Sequence, residues 1–120
     1  MKDFEIIYVD GVFVIEVNLI RSTMLEANEF KKLIKEEISS GHTKLVIDLS
    51  KCDYIDSTFF GAIVLASKML IGLGYKLKVV EPTIVGEYIF TYTNYRKVFD
   101  KYETREEAIK SFEEDIQPES

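Results

Sequence analysis

The strongest constraint on the fold is a long apolar run, residues 60–73, that follows soon after a short apolar segment, residues 44–49. The short segment is rich in β-branched residues and is typical of a buried strand. The long run has helical spacing and ends between Gly72 and Gly74. A helix that is apolar on nearly every side either is covered on two sides or presents a docking surface. We expect this helix to lie mostly in the core, with its first turn exposed.

Between this strand and this helix the chain places an acid and two hydroxyls, Asp56, Ser57 and Thr58. Side chains of these types commonly cap a helix, since their oxygens accept hydrogen bonds from its free N–H groups. A second interpretation is that Ser57 is displayed for phosphorylation. A phosphate at that position meets unpaired N–H groups and the positive end of the helix dipole. The residues alone leave both interpretations open.

The composition predicts one globular domain, residues 1–120, and excludes several classes of protein. The net charge of −6 and the lack of a run of basic residues argue against nucleic-acid binding. No apolar stretch reaches the roughly 20 residues of a membrane span, and the first residues do not form a secretory signal. Cys52 is the only cysteine, which indicates a reducing compartment. We therefore expect a soluble cytoplasmic protein.

Candidate catalytic and metal-binding residues are few. His42 is the only histidine and lies in a turn, so a zinc site would need carboxylates and Cys52, which are not at ligand spacing. We interpret Cys52 as a small core residue and His42 as a surface turn residue. A receiver would need an acidic pair after its first strand, whereas only Asp10 lies between the first two strands. No phosphate-binding Gly-rich loop is present either. We expect no metal, no cofactor and no catalysis, and a small flavodoxin-like enzyme or receiver is the less favoured hypothesis.

The remaining patterns complete an α/β order. Two strands, 3–9 and 11–17, flank Asp10-Gly11, a strong hairpin signal. Residues 18–23 are predicted as a loop, with a helix cap at Ser22 or Thr23. The later elements are predicted as a helix over 24–38, the strand 44–49, the helix 57–73 and a strand over 75–80. They are followed by a helix from Pro82 or Thr83 to about Tyr92, a short strand over 98–102, and a last helix opened by a capping box from Thr104 to Glu107. Residues 117–120 are expected to fray.

This order, β-β-α-β-α-β-α-(β)-α, predicts an α/β fold with a central mixed sheet of four to five strands and about four helices. Three features resemble the STAS domain family, which includes the bacterial anti-sigma factor antagonists. They are Asp56-Ser57-Thr58 with Gly61 between a strand and a helix, the later helix near Pro82, and the segment from Tyr95 to Thr104 that leads into the last helix.

The resemblance implies a STAS-like fold and a phosphorylation-regulated binding function. In the family's antagonists the residue after the aspartate is the phosphorylated one, which here is Ser57, with Thr58 as its neighbour. Contacts with a partner or kinase are implied at Asp56, Ser57, Thr58, Phe59 and Gly61. The implied partners are an anti-sigma factor that is also a serine kinase and a PP2C-type phosphatase. We expect the chain itself to be a monomer or a weak dimer.

The sequence departs from the family pattern at two places. Phe59-Phe60 replaces the usual Gly-Leu, and we expect Phe59 to face solvent and to alter how a partner approaches. The loop after the second strand, residues 18–23, lacks the acid of the usual Gly-x-Leu-Asp. The alternative function is therefore a STAS interaction domain of another signalling or stress-response complex, in which Ser57 is only a helix cap.

Overall fold

A mixed five-stranded sheet forms the centre of the computed structural model, which describes residues 2–82 and 99–114. The strands are β1 (Phe4–Val9), β2 (Val12–Val17), β3 (Arg21–Ser22), β4 (Leu45–Asp48), β5 (Tyr54–Ile55), β6 (Leu77–Val80) and β7 (Phe99–Tyr102), and the helices of the described ranges are α1 (Met24–Ser39), α2 (Ser57–Gly72) and α3 (Arg105–Glu114). The predicted helix after Pro82 and the predicted frayed end at 117–120 lie outside the described residues.

The main sheet has the strand order β1-β2-β4-β6-β7. β1 is antiparallel to β2, and every other neighbouring pair is parallel. At the β1–β2 turn both Asp10 and Gly11 have positive φ, 51° and 81°. Two such residues form the tight turn whose twist matches that of the flanking strands. The predicted hairpin and the predicted mixed STAS-like sheet are both confirmed.

Side-chain alternation along the strands separates two cores. On β2, Ile15 and Val17 belong to a core shared with α1 and α2, whereas Val12 and Val14 belong to a core shared with α3. The period of two in a strand produces this division, because successive side chains point to opposite faces of the sheet. Both faces are therefore covered by helices, which explains why the central strand β4 is buried at all four positions.

The helices α1 and α3 begin where the sequence predicts. α1 buries Ala27, Phe30, Ile34 and Ile38 on one stripe. Thr23 is its N-cap and forms a capping box in which the Glu26 carboxylate accepts from the Thr23 amide at 2.9 Å. At the start of α3, Thr104 Oγ1 accepts from the Glu107 amide at 3.1 Å, as the predicted capping box requires.

Two expectations need correction. The segment 18–23 is not only a loop, because β3 pairs in parallel with β5, with Arg21 opposite Tyr54. Strands of two residues carry no periodicity, so the sequence holds no signal for them. His42 does lie in a turn, but it is half-buried: its ring stacks on Phe13 at 3.8 Å, and Nδ1 lies 2.8 Å from Glu37 Oε1.

Candidate functional site

The start of α2 is organised by Asp56, which is the N-cap residue of this helix. Its Oδ1 accepts a hydrogen bond from the Phe59 amide at 2.8 Å. Its Oδ2 accepts a second one from the Met24 amide, at the first residue of α1, also at 2.8 Å. One carboxylate therefore satisfies free N–H groups at the N-termini of two helices. The Asp56 amide in turn donates to the Ser22 carbonyl at 3.0 Å, which ties the site to β3.

Ser57 is not the cap but the first residue inside the helix, and it is exposed together with Thr58. The amides of Ser57 and Thr58 have no acceptor among the residues that the structure describes. The Ser57 hydroxyl does not cap the helix, and it lies where the helix dipole favours negative charge. The interpretation of Ser57 as only a helix cap is wrong, because Asp56 holds that position.

Phe59 is fully buried, which overturns the expectation that it faces solvent. Its ring stacks on Phe30 of α1, with centroids 4.5 Å apart, and lies 6.4 Å from Phe4 of β1. Phe4 and Phe30 also stack on each other at 5.3 Å. The residue that replaces the family's glycine therefore fills the core between two helices and a strand. Its side chain is not available for contact with a partner.

Gly61 lies on the exposed side of α2, one turn after Ser57. A Cβ atom built at Gly61 meets no heavy atom within 4 Å. Packing inside the domain therefore does not require a glycine here. Because Gly61 has no side chain, nothing projects from the helix surface at this position next to Ser57.

Exposed apolar side chains surround the start of α2, and sequence reasoning did not single them out. We call this set the apolar rim: Ile20, Met24, Leu25 and Tyr54, with exposed fractions of 65%, 65%, 85% and 39%. The rim is held beside Ser57 by the bond from Met24 to Asp56 and by the amides of Asp53 and Tyr54, which both donate to the Ile20 carbonyl. The available signal was that Met24 and Leu25 lie off the buried stripe of α1.

The rim also carries one cation. The Arg21 guanidinium lies over the Tyr54 ring, 4.4 Å from its centroid. This contact arises because Arg21 and Tyr54 are opposite residues of the β3–β5 pair. An arginine therefore occupies the loop in which the family pattern places an acid.

Cys52 is buried beside the site, which confirms the prediction that it is a core residue. Its Sγ lies 3.4 Å from the buried hydroxyl of Ser22. Burial raises the pKa of the Cys52 thiol to about 11, so the thiol stays protonated near neutral pH. A neutral buried thiol is a structural group and a poor nucleophile.

A charged cluster lies on the α3 face of the main sheet, near the C-terminal ends of β2 and β4. Arg105, the first residue of α3, donates through Nε to Asp48 Oδ2 at 2.8 Å and through a terminal nitrogen to Glu16. The bond from Arg105 lowers the pKa of Glu16 from its ordinary value. Because Glu16 and Asp48 are opposite residues of the neighbouring strands β2 and β4, the cluster fastens α3 to the sheet.

Within residues 2–82 and 99–114 no group of three or more His, Cys, Asp and Glu side chains is placed to hold a metal ion. None of the helices in these ranges combines the length and the apolar character needed to cross a bilayer. What the described structure presents at α2 is therefore a surface: an exposed hydroxyl, two available amides and an apolar rim.

Comparison with known proteins agrees with this geometry. A family model of the STAS domain matches residues 9–108. No curated protein sequence matches the chain significantly. Among solved structures, a candidate anti-sigma factor antagonist from Thermotoga maritima is similar, with 28% identity and a TM-score of 0.82 over 90% of this chain and 92% of that one.

Two more distant structures share the fold. An anti-sigma factor antagonist from Mycobacterium paratuberculosis has 23% identity and a TM-score of 0.81, over 90% of this chain and 91% of that one. The Bacillus cell fate determinant SpoIIAA, an anti-sigma factor antagonist, in its phosphorylated form has 17% identity and a TM-score of 0.71, over 91% of this chain and 98% of that one.

Proposed function

The chain belongs to the STAS domain family, and on that premise we propose that it is a phosphorylation-regulated binding module that antagonises an anti-sigma factor. In this proposal the domain binds its partner when Ser57 is unphosphorylated and releases it when Ser57 carries a phosphate. The partner is an anti-sigma factor that is also a serine kinase, and a PP2C-type phosphatase resets the domain. The chain acts in the cytoplasm, by binding and not by catalysis.

The observation that carries the proposal is that the helix cap is provided by Asp56 and not by Ser57. Asp56 supplies the cap of α2, so the hydroxyl of Ser57 is exposed and is not needed to hold the helix. A kinase can modify such a hydroxyl without breaking a bond that the fold uses. The solved structure of SpoIIAA in a phosphorylated form supports the idea that this fold accommodates phosphorylation.

Phosphorylation acts differently on the free domain and on the complex. A phosphate adds about −1.5 to −2 charges at neutral pH. In the free domain the start of a helix favours an anion by about 0.3–1 kcal/mol, and the exposed amides of Ser57 and Thr58 can donate to it. The neighbouring Asp56 carboxylate opposes this gain by repulsion. We therefore expect the fold to survive phosphorylation nearly unchanged.

In the complex the same phosphate is costly. A partner that covers Met24 and Leu25, which are 65% and 85% exposed, also covers the space above Ser57. Removing a dianion from water without a cationic partner costs several kcal/mol. Binding should therefore fall sharply, while the stability of the free domain changes little.

One observation favours a second candidate, a STAS interaction domain of another signalling or stress-response complex. Arg21 lies over Tyr54 in the segment where the family's antagonists carry an acid. A partner adapted to that acid would meet a cation here. In this candidate the apolar rim binds a protein that is not a kinase, and Ser57 stays unmodified.

Affinity capture from the cells that produce the chain distinguishes the two candidates. Tagged wild type, Ser57→Ala, Ser57→Asp and Thr58→Ala are compared for phosphate by mass spectrometry and for co-purifying partners. We expect phosphate on Ser57 in wild type and in Thr58→Ala, partner recovery with Ser57→Ala, and its loss with Ser57→Asp. Thermal melting of Ser57→Asp close to wild type is the control for folding. Phosphate on Thr58 instead, or full binding by Ser57→Asp, would contradict the switch.

A further inference from the structure

The outer edge of β1 is a second surface of the domain that is unusual for its composition. Among the described strands, β1 is an edge strand with a neighbour on one side only. Its central residues, Ile6 to Val9, are uncharged, and Ile6 and Tyr8 are 39% and 65% exposed. Natural edge strands are usually protected by charges, bulges or prolines, because an unprotected edge pairs readily with another strand.

The opposite edge of the main sheet, among the described strands, shows the usual protection. β7 contains Asp100 and Lys101, which form ion pairs with Lys76 at 2.9 Å and with Glu81 at 2.8 Å. The middle of β1 has no equivalent charges. The two edges of one sheet therefore differ in how well they resist pairing.

The backbone of β1 has N–H and C=O groups that can pair with a further strand. The two-residue turn makes Val9 and Val12 the first paired residues of the hairpin, so the odd-numbered residues of β1 direct their N–H and C=O groups toward β2. The even-numbered residues, Phe4, Ile6 and Tyr8, direct theirs to the outer edge. These are also the residues whose side chains point to the α1 side of the sheet.

We propose that a second copy of this chain pairs antiparallel along β1, about a twofold axis at Ile6, so that two domains share one continuous sheet. The register follows from charge. Opposite residues of an antiparallel pair lie on the same face, so only registers centred on a residue are compatible with the pleat.

Of the three central registers, only one brings opposite charges close together. An axis at Glu5 places two glutamates opposite each other, and an axis at Ile7 brings the turn residue Asp10 next to Phe4 of the second copy. The axis at Ile6 brings Lys2, just before β1, near Asp10 in the hairpin turn of the second copy, twice by symmetry. Like charges directly opposite each other destabilise a strand pair, whereas opposite charges stabilise it.

The shape of the surface beside β1 fits the same register. An open groove of about 710 Å³ is lined by Lys2, Phe4, Glu5, Ile6 and Leu33. With the axis at Ile6, Tyr8 of the second copy lies opposite Phe4, so its exposed ring enters this groove. The backbone before β1 is tied to the end of β2, because Asn18 Nδ2 donates to the Lys2 carbonyl at 3.0 Å.

Sedimentation equilibrium over a wide range of protein concentration tests the proposal. We expect wild type to dimerise as concentration rises, and Ile6→Lys, which places two cations at the axis, to remain monomeric. Leu73→Lys, at a position 55% exposed beyond the end of α2, is the matched control and should dimerise like wild type. Lys2→Glu should weaken the dimer, and adding Asp10→Asn, which keeps a turn-compatible residue, should restore part of the loss.

Cysteine cross-linking tests the register. Ile6→Cys places two thiols opposite each other at the axis, within the distance that a disulfide spans, so diamide should oxidise it to a covalent dimer. Tyr8→Cys is more exposed but lies opposite Phe4, so it reports only random collisions and should cross-link several-fold more slowly. The native Cys52 is buried and adds little background. A wild type that stays monomeric, an Ile6→Lys variant that dimerises normally, or equal cross-linking at both positions would overturn the proposal.

Discussion

The carboxylate of Asp56 accepts a hydrogen bond from the backbone amide of Met24 at 2.8 Å, across 32 residues of sequence. The same carboxylate caps α2 through the Phe59 amide. The residue before the proposed phosphorylation site therefore also fixes the start of α1, and with it the exposed side chains of Met24 and Leu25. We therefore expect a change at Ser57 that disturbs Asp56 to shift the start of α1 as well.

Replacing Asp56 should cost more stability than replacing Ser57. Asp56→Ala removes one N-cap bond and one bond between helices, so we expect a loss of about 1–3 kcal/mol. Ser57→Ala removes an exposed hydroxyl outside the cap and should stay within about 0.5 kcal/mol of wild type. Urea denaturation of both variants measures the difference. Equal losses would show that Ser57 shares the capping role.

Phe59→Ala should be strongly destabilising, because it removes one of the three buried rings of the Phe4–Phe30–Phe59 stack. Large-to-small substitutions of a buried phenylalanine cost about 3–5 kcal/mol. Ile71→Ala is the matched control on the same helix, since Ile71 is 46% exposed and should change stability by much less. Thermal and urea melts of the two variants test the pair. A small effect of Phe59→Ala would mean that the ring is not part of the core in solution.

Gly61→Ala separates helix stability from partner binding. Because a Cβ at Gly61 meets nothing within 4 Å, alanine should stabilise the domain by up to about 1 kcal/mol. We expect the affinity of the same variant for its partner to be unchanged or lower, since the added methyl group lies one turn from Ser57. Gly72→Ala is the control, with equally open surroundings at the other end of α2. Tighter binding by Gly61→Ala would remove any role for the glycine in close approach.

Acid should weaken the attachment of α3 through Glu16. Its pKa is lower in the folded protein than in the unfolded chain, because Arg105 donates to it. Its stabilising contribution is therefore complete above the ordinary glutamate pKa of about 4.3 and is lost as the pH falls through the lowered folded value. Urea melts from neutral pH downward should show a smaller loss for Glu16→Gln than for wild type. At neutral pH Glu16→Gln itself should cost about 1–3 kcal/mol. If wild type and Glu16→Gln lose the same stability as the pH falls, the stabilising role assigned to the Glu16 carboxylate would be contradicted.

Cys52 should react with thiol reagents only when the domain opens. Its pKa of about 11 and its burial leave almost no accessible thiolate near neutral pH. We expect labelling by iodoacetamide to be slow in the native protein and fast in urea. Destabilising variants such as Phe59→Ala should accelerate it. Rapid labelling of native wild type would show that the thiol is exposed.

The sequence alone determined the elements whose signals are local. The turn residues Asp10 and Gly11 predict the hairpin, because few residues other than glycine and Asn/Asp accept positive φ readily. The apolar period of α1 and the capping boxes at Thr23 and Thr104 likewise depend on residues a few positions apart. The α/β order, the mixed sheet and the family resemblance follow from such local patterns, and they are confirmed.

The tertiary structure decided which residues of the site do what. Whether Phe59 is exposed, whether Asp56 or Ser57 caps α2, and whether Met24 and Leu25 lie beside Ser57 all depend on contacts between α1, α2 and the β3–β5 pair. A side chain in the first turn of a helix faces either core or solvent according to what packs against that turn, and a carboxylate can accept from any donor that the fold brings near. Those neighbours are distant in sequence, so local periodicity and spacing contain no information about them.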